Sequence, residues 1–315
     1  MSLIGILVTG VIGFALFRTL YVPSHLKNKD TAIDKIIVTL PTDGIKDDSL
    51  NADGEPKTRD ELWVEHIEES DRVNVLLMGT DGYRADTLMV MSYSKKEDNV
   101  SFVTVPRDTY NKVEGKNYLG QDKINAVYAF GKGMGGAENQ TLAVEKVLGI
   151  PIHYYIKVNY NGLEAIVNTL GGISVDVHRN MNYDDPYAKP PLHIHLDKGP
   201  QVLTGDKAMG YVRWRKNNDG SGDSDLERTK RQQEFMITLV KKSFGLDIIN
   251  VIGITFDYVT TNMTKEDVLY YGADMIGFDF STIETYMIPG EADYSHYYHD
   301  PIETKALVQE IYGFD

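Results

Sequence analysis

The sequence predicts an α/β fold: a single layered α/β/α domain with a central mixed sheet flanked by helices, preceded by an N-terminal transmembrane helix. Three observations carry this reading. Continuous apolar runs such as VNVLLM (73–78) are what strands buried on both faces look like. These runs interleave with helix-length segments as far as the C-terminus, instead of separating into an all-β and an all-α half. The 315 residues, 42% hydrophobic and 25% charged, suffice to bury one large core.

The elements follow in order. Leu3 to Val22 is apolar apart from Thr9, Arg18, Thr19 and Tyr21. At about 1.5 Å per residue, roughly twenty residues cross a hydrocarbon layer of about 30 Å, so residues 1–22 read as a membrane anchor. A cleavable signal peptide is the rival, but the run is long for an h-region and no clean small-x-small site follows it. Taken literally, Arg18, Lys27 and Lys29 after the segment would put the main domain in the cytoplasm. Residues 23–71 are polar, with one strand-like run, DKIIVTL, and read as a stalk; the main domain is 72–315.

Within that domain VNVLLM, DTLMVMSY and VSFVTVP read as strands, then DKINAVYAFG and AENQTLAVEKVLG as helices, the second ended by Gly149 with Pro151 beyond. IHYYIKV is a strand, NYNGLEAIVNTLGG a helix stopped by Gly171 and Gly172, and ISVDV a strand. A helix starts at Thr204, YVRWR reads as extended, and a long helix covers about Asp225 to Phe244. Thr264 caps KEDVLYYGADMIG, TIETYMIP is a strand, and DPIETKALVQEIYG is the last helix.

Composition removes several classes of function. With no cysteine there are no disulfides, thiolate metal sites or cysteine nucleophiles. A net charge of −14 speaks against nucleic acid as a partner, because phosphate neutralisation needs an excess of lysine and arginine.

Against that acidic background, arginines concentrate in GTDGYRADT (79–87), VPRD (105–108), YVRWR and DLERTKRQQ. Guanidinium forks fit phosphate oxygens bidentately, and carboxylates beside them suit a divalent cation. Asp81 ends a buried strand, where open α/β sheets place ligands, and Arg84 and Asp86 follow at once. The alternative is a tight GTDG turn with Asp86 capping the next element. Arg107 and Asp108 also end a strand and are expected to meet Asp81. Arg213 and Arg215, two residues apart, fall on one side of an extended segment; Asp225, Arg228, Arg231 and Gln232 share a face near a helix N-terminus, where positive charge calls for an anion or acidic neighbours. His193 and His195 of LHIHL project together, but no acidic or histidine partner stands at metal-site spacing, so they read as the polar face of an edge strand.

The ordered blocks GTDGYRADTLMV, VPRDTY, DKINAVYAFG, LGIPIHYYIKVNYNGL, LGGISVDV, LTGDKAMGYVRWR and DLERTKRQQEF resemble the LytR-CpsA-Psr family of Gram-positive envelope proteins, from about Val73 to Phe244 and more loosely beyond. The resemblance implies a membrane-anchored phosphotransferase with its catalytic domain outside the cell, moving a glycopolymer from an undecaprenyl pyrophosphate carrier to a peptidoglycan hydroxyl with Mg²⁺. It thus overrules the literal charge count. It also implies an apolar tunnel for the lipid. Carried over by position, Asp81 and Asp86 match the magnesium aspartates, Arg84, Arg107, Arg213, Arg215 and Arg228 the pyrophosphate-contacting arginines, and Gln232 the glutamine one turn later; Lys123 and Asn125 match a K-x-N block. Asp86 is the candidate base and Arg107 its catalytic companion. The two aspartates are only five residues apart, where the family often has a longer glycine-rich loop. Lipid pyrophosphate hydrolysis, transcriptional attenuation and non-catalytic lipid-glycan binding are the other readings.

Overall fold

The computed structural model describes residues 17–28, 46–50, 56–113, 115, 120–130, 135–188, 191–244 and 256–314. Most of the expected membrane helix, and the run DKIIVTL, lie outside these residues. No helix among the described residues is long and apolar enough to cross a membrane.

In chain order, β1 (Lys46–Leu50) pairs antiparallel with β2 (Pro56–Thr58), which leads into α1 (Arg59–Glu69). Then come β3 (Val73–Asp81), β4 (Arg84–Ser94), β5 (Asn99–Thr104), a 3-10 segment Ile124–Phe130, α2 (Gly135–Leu148), β6 (Tyr154–Asn159) and α3 (Tyr160–Thr169). The chain continues through β7 (Ile173–Val177), β8 (Met181–Asp185), β9 (Leu192–Leu196), β10 (Gly199–Leu203), α4 (Gly205–Arg213) and α5 (Asp225–Ser243). It closes with β11 (Val259–Thr261), α6 (Lys265–Asp274), β12 (Glu284–Met287), β13 (Gly290–Ala292), β14 (Tyr297–His299) and α7 (Pro301–Ile311).

The main sheet has the order β11-β6-β3-β4-β5-β12. It is mixed, as expected: β6 is parallel to β3 and β12 to β5, while β4 and β11 run against their neighbours. The apolar run of β3 explains the layering. Val73, Val75 and Leu77 enter one core with Phe102, Ile237 of α5 and Met275 beside α6; Leu76 and Met78 enter the other, with Trp63 of α1, Val144 of α2 and Val308 of α7. A third core joins α3, α4, one face of α5 and the small sheets β7/β10 and β8/β9 into a lobe beside the main sheet.

Three expectations change. DKINAVYAFG forms a 3-10 segment, not an α-helix. YVRWR is not extended: α4 runs through Arg213, because Tyr211 and Trp214, three apart, both enter the lobe core and only helical spacing allows that. The stalk is shorter than 23–71, because α1 buries Trp63 and Ile67 in the main core.

Residues 17–28 also meet the domain. Arg18 pairs with Asp274, and Asp267, fully buried at the head of α6, accepts from the Ser24 amide (2.9 Å) and hydroxyl (2.7 Å), from Tyr21 (3.0 Å) and from Tyr154 (3.0 Å). Thr264, the expected cap, completes a capping box with the same carboxylate. Burial alone would raise the Asp267 pKa, but the bonds from Ser24 and Thr264 outweigh it and hold the carboxyl down at about 2. Since this lies below the unfolded value, the stabilisation is complete above about pH 4 and is lost as pH falls through about 2. Asp267→Asn should therefore cost about 2 kcal/mol at neutral pH, with the gap from the parent narrowing as pH falls from about 4 toward 2, measured by urea unfolding.

Candidate functional site

Strands β3, β5, β6 and β12 all point their carboxyl ends the same way, and the sequence-predicted residues gather at that end. The β3–β4 hairpin turns on two residues, with Asp81 opposite Arg84 and Gly82 at φ 57°, a backbone angle that glycine adopts without penalty. The register then slips: Thr80 faces Ala85 but Gly79 faces Thr87, leaving Asp86 as the extra residue of a β-bulge. A bulge re-aims a side chain. Here the Asp86 carboxylate meets Arg107 Nη1 at 2.8 Å, just beyond the end of β5. Arg107 was expected to meet Asp81; the ion pair forms with Asp86 because the bulge turns that carboxylate toward β5.

Neighbouring contacts fix this corner. Asp108 lies 3.5 Å from Arg107 Nε and takes Lys123 Nζ at 2.9 Å. The amide of buried Asn125 donates to the Arg107 carbonyl at 3.2 Å, which fastens the K-x-N block to the VPRD turn. Arg84 leans on Gly120, where an added Cβ would stand 3.5 Å from its Nη2.

The second half of the site comes from the lobe. Arg213, the last residue of α4, stacks its guanidinium 5.0 Å from the ring centre of Tyr160. Tyr160 opens α3 directly after β6, and burial pushes its phenol up to about 12; Asp81 and Asp86 add to the rise, and Arg213 and Arg107 oppose it. All four are expected site charges, and the hydroxyl stays protonated at neutral pH. The sequence reading passed over Tyr160. Its signal was position, the first residue after a strand parallel to β3, and it needed the strand pairing to be seen.

The helix α5 separates two kinds of arginine. Its N-terminus is satisfied by a Ser224–Glu227 capping box. Arg231 faces the lobe core, where its Nε meets fully buried Asp223 at 3.0 Å, its Nη atoms bond the carbonyls of Tyr211 and Trp214, and its guanidinium covers both rings. Arg228, one turn earlier, lines the site cavity instead. Gln232 donates to the Val212 carbonyl at 3.0 Å and borders a narrow cleft shared with Asp86 and Tyr160.

Arg84, Asp86, Arg107, Lys123, Asn125, Arg215 and Arg228 line one cavity of about 590 Å³. Asp81, Arg213 and Gln232 are outside its lining; Arg213 stacks on Tyr160, which lines the narrow cleft that shares Asp86 with the cavity. The far wall is the β13–β14 hairpin, which no sequence argument singled out: Tyr297 hydrogen-bonds the backbone of Asp108 and Tyr110, and His296 Nε2 lies 3.1 Å from Asp122. A second cavity of about 590 Å³ opens between Pro23–Leu26, His153 and Tyr271, but its Arg72 is engaged by Glu97 and Asn99.

Converging arginines at the carboxyl edge of a layered α/β/α sheet are an arrangement suited to anionic phosphate groups. The chain belongs to the LytR_cpsA_psr family, whose model matches residues 37–310. It is 35% identical over 209 residues to the polyisoprenyl-teichoic acid–peptidoglycan teichoic acid transferase TagU of Bacillus mycoides (strain KBAB4), a match covering 64% of this chain and 63% of that protein's length. The crystal structure of B. subtilis TagV is similar at TM-score 0.63 and 26% identity, covering 78% of this chain and 99% of TagV. A structure of TagT bound to LIIa-WTA is similar at TM-score 0.59 and 25% identity, covering 79% and 92%.

The two α5 arginines should respond differently to truncation. Arg231→Ala removes one of the Asp223 carboxylate's partners, leaving it His178 Nε2 at 2.8 Å, and frees the Tyr211 and Trp214 carbonyls, so it should cost about 2–3 kcal/mol of stability. Arg228→Ala should weaken pyrophosphate binding, as read by calorimetry at fixed ionic strength.

Proposed function

We propose that the protein is a phosphotransferase that moves a glycopolymer, a teichoic acid by likeness to TagU, from an undecaprenyl pyrophosphate carrier to a hydroxyl of peptidoglycan. The observation that carries this reading is the shared cavity of Arg84, Arg107, Arg215 and Arg228 with Asp86 at its edge, a size and charge suited to a pyrophosphate and its first sugar. The structure of TagT bound to LIIa-WTA supports a lipid-linked wall polymer as the donor class.

In this reading the sugar hydroxyl attacks the phosphorus that bears the polymer. A new P–O bond forms to the acceptor, the bond to the bridging oxygen breaks, and undecaprenyl phosphate leaves. Charge grows on the non-bridging and leaving oxygens, where Arg107, Arg215 and Arg228 stabilise it. Asp86 takes the hydroxyl proton, and the protonated Tyr160 phenol, in the adjoining cleft that Asp86 also lines, keeps a hydrogen-bond donor beside it. Gln232 and the adjoining cleft begin the path for the lipid.

Magnesium fits the residues present. It favours oxygen donors, keeps water and phosphate oxygens in its shell, and needs only one or two carboxylates from a protein; Asp81 and Asp86, brought to the same strand end by the two-residue turn and the bulge, would hold it. Bound there, it would neutralise pyrophosphate charge. The N-terminal segment would anchor the chain, with the domain facing the wall.

The test is incubation of purified protein with a short lipid-linked pyrophosphate glycan, with and without peptidoglycan oligomers. Release of undecaprenyl phosphate should require the acceptor, and Arg107→Ala should lower kcat/KM about 10²–10³-fold. Acceptor-independent phosphate release would make the protein a hydrolase instead.

A further inference from the structure

The LHIHL segment gains in the fold the acidic partner that sequence spacing did not offer. Strand β9 pairs antiparallel with β8 so that His193 faces Asp184 and His195 faces Asn182. Met181, Ile194 and Leu196 point into the lobe core, and the opposite face of the ribbon presents Asn182, Asp184, His193 and His195 to solvent.

On that outer face both imidazoles converge on one carboxylate oxygen. His193 Nδ1 lies 2.5 Å and His195 Nε2 3.2 Å from Asp184 Oδ1. The three ligand atoms all fall within 4.8 Å of one another, and this is the one such group of three among the described residues. A tetrahedral zinc ion with bonds near 2.0–2.1 Å separates its ligands by about 3.3 Å, so small side-chain adjustments suffice to seat one. The second nitrogen of His195, Nδ1, lies 3.4 Å from Asn182 Oδ1, an orienting partner that leaves Nε2 for the metal. The donors stand on adjacent strands backed by a packed core, which fixes them better than a loop would.

We infer that Asp184, His193 and His195 form a binding site for a divalent transition-metal ion of the zinc class, distinct from the magnesium carboxylates. Two imidazoles and one carboxylate select zinc-like ions over magnesium, which prefers an all-oxygen shell. With three protein ligands the fourth position is left to water. The ion is a clasp: it ties β8 to β9, and β8 is tied in turn to the segment after Arg215. Asn217 Oδ1 accepts from the Asn182 amide and Asn218 Oδ1 from the Asp184 amide, each at 2.7 Å, and Asn218 Nδ2 returns a bond to the Asp184 carbonyl at 3.0 Å.

The experiment uses the full chain in detergent, stripped with chelator and dialysed, then titrated with ZnCl₂ by calorimetry and with Co²⁺ by visible absorption. Parent protein should bind one equivalent of zinc, give a tetrahedral Co²⁺ band and melt at a higher temperature in zinc, with excess Mg²⁺ failing to compete. His193→Ala and His195→Ala should each weaken zinc at least about tenfold, and the double variant should lose the Co²⁺ band while keeping its far-ultraviolet circular dichroism. Zinc bound as tightly by the double variant as by the parent, or no saturable binding by the parent at micromolar zinc, would overturn the site.

Discussion

The ion pair between Asp86 and Arg107 at 2.8 Å is the contact on which the rest of the site turns. Like charges about 4 Å apart repel by about 4 kcal/mol at the effective dielectric of a protein surface, so guanidiniums cannot share a cavity without acidic partners. Asp86 supplies that partner for the β5 end. Asp108 does so for Lys123 beside it, and Asp223 takes Arg231 out of the cavity altogether. Arg84, Arg215 and Arg228 add their positive charge around the same space, which is sized for a phosphate ester.

The bulge is what makes that pairing available. A regular β3–β4 hairpin would continue the alternation from Asp81 and Arg84 without an extra residue, and Asp86 would take an ordinary place in the ladder. With the slip between Gly79 and Thr80, two residues are accommodated against one and the carboxylate is redirected to the neighbouring strand end. Thr87 crowds the space beside Gly79, where a Cβ would approach to 3.1 Å, so the glycine of GTD suits the slip as well as the turn. This also accounts for the short spacing between the two aspartates: a two-residue turn plus one bulged residue brings both to the same strand end.

Much of this was legible in the sequence, and the limits have physical causes. The run VNVLLM declared a strand buried on both faces, and β3 feeds both cores of the main sheet. Arginine-rich blocks against a net charge of −14 marked the cavity, and seven of the ten expected residues line it. What the sequence withheld depends on pairing between distant segments. Tyr160 owes its importance to β6 lying parallel to β3, Asp184 meets the histidines only through the β8–β9 register, and Tyr297 joins the site through backbone bonds to Asp108 and Tyr110. The YVRWR segment misled for a related reason: alternation and helical spacing both fit five residues, and the packing of Tyr211 and Trp214 decided for the helix.

The choice of arginine throughout the site follows from the same constraint. A lysine ammonium is a mobile point charge, whereas a guanidinium offers two parallel donors and a flat face. Arg213 uses the face on Tyr160, and Arg231 uses it on Tyr211 and Trp214. Stacking limits the rotamers of Arg213 before any ligand arrives, so less entropy is lost when its donors engage an anion. Tyr160 gains from the arrangement in return, because the burial that keeps its phenol neutral preserves a hydrogen-bond donor among the charges of Asp81, Asp86, Arg107 and Arg213. For the proposed transfer, ordered cations and a fixed neutral donor would be in place ahead of a transition state that spreads negative charge over several oxygens. Since α5 buries Phe235 and Leu239 in the lobe and Ile237 against the main sheet, the helix that carries Arg228 and Gln232 is held by both cores. Movement of the lobe against the sheet would therefore shift Arg213, Arg215 and Arg228 relative to Arg84 and Arg107, and the packing of α5 is what keeps the two halves of the cradle in register.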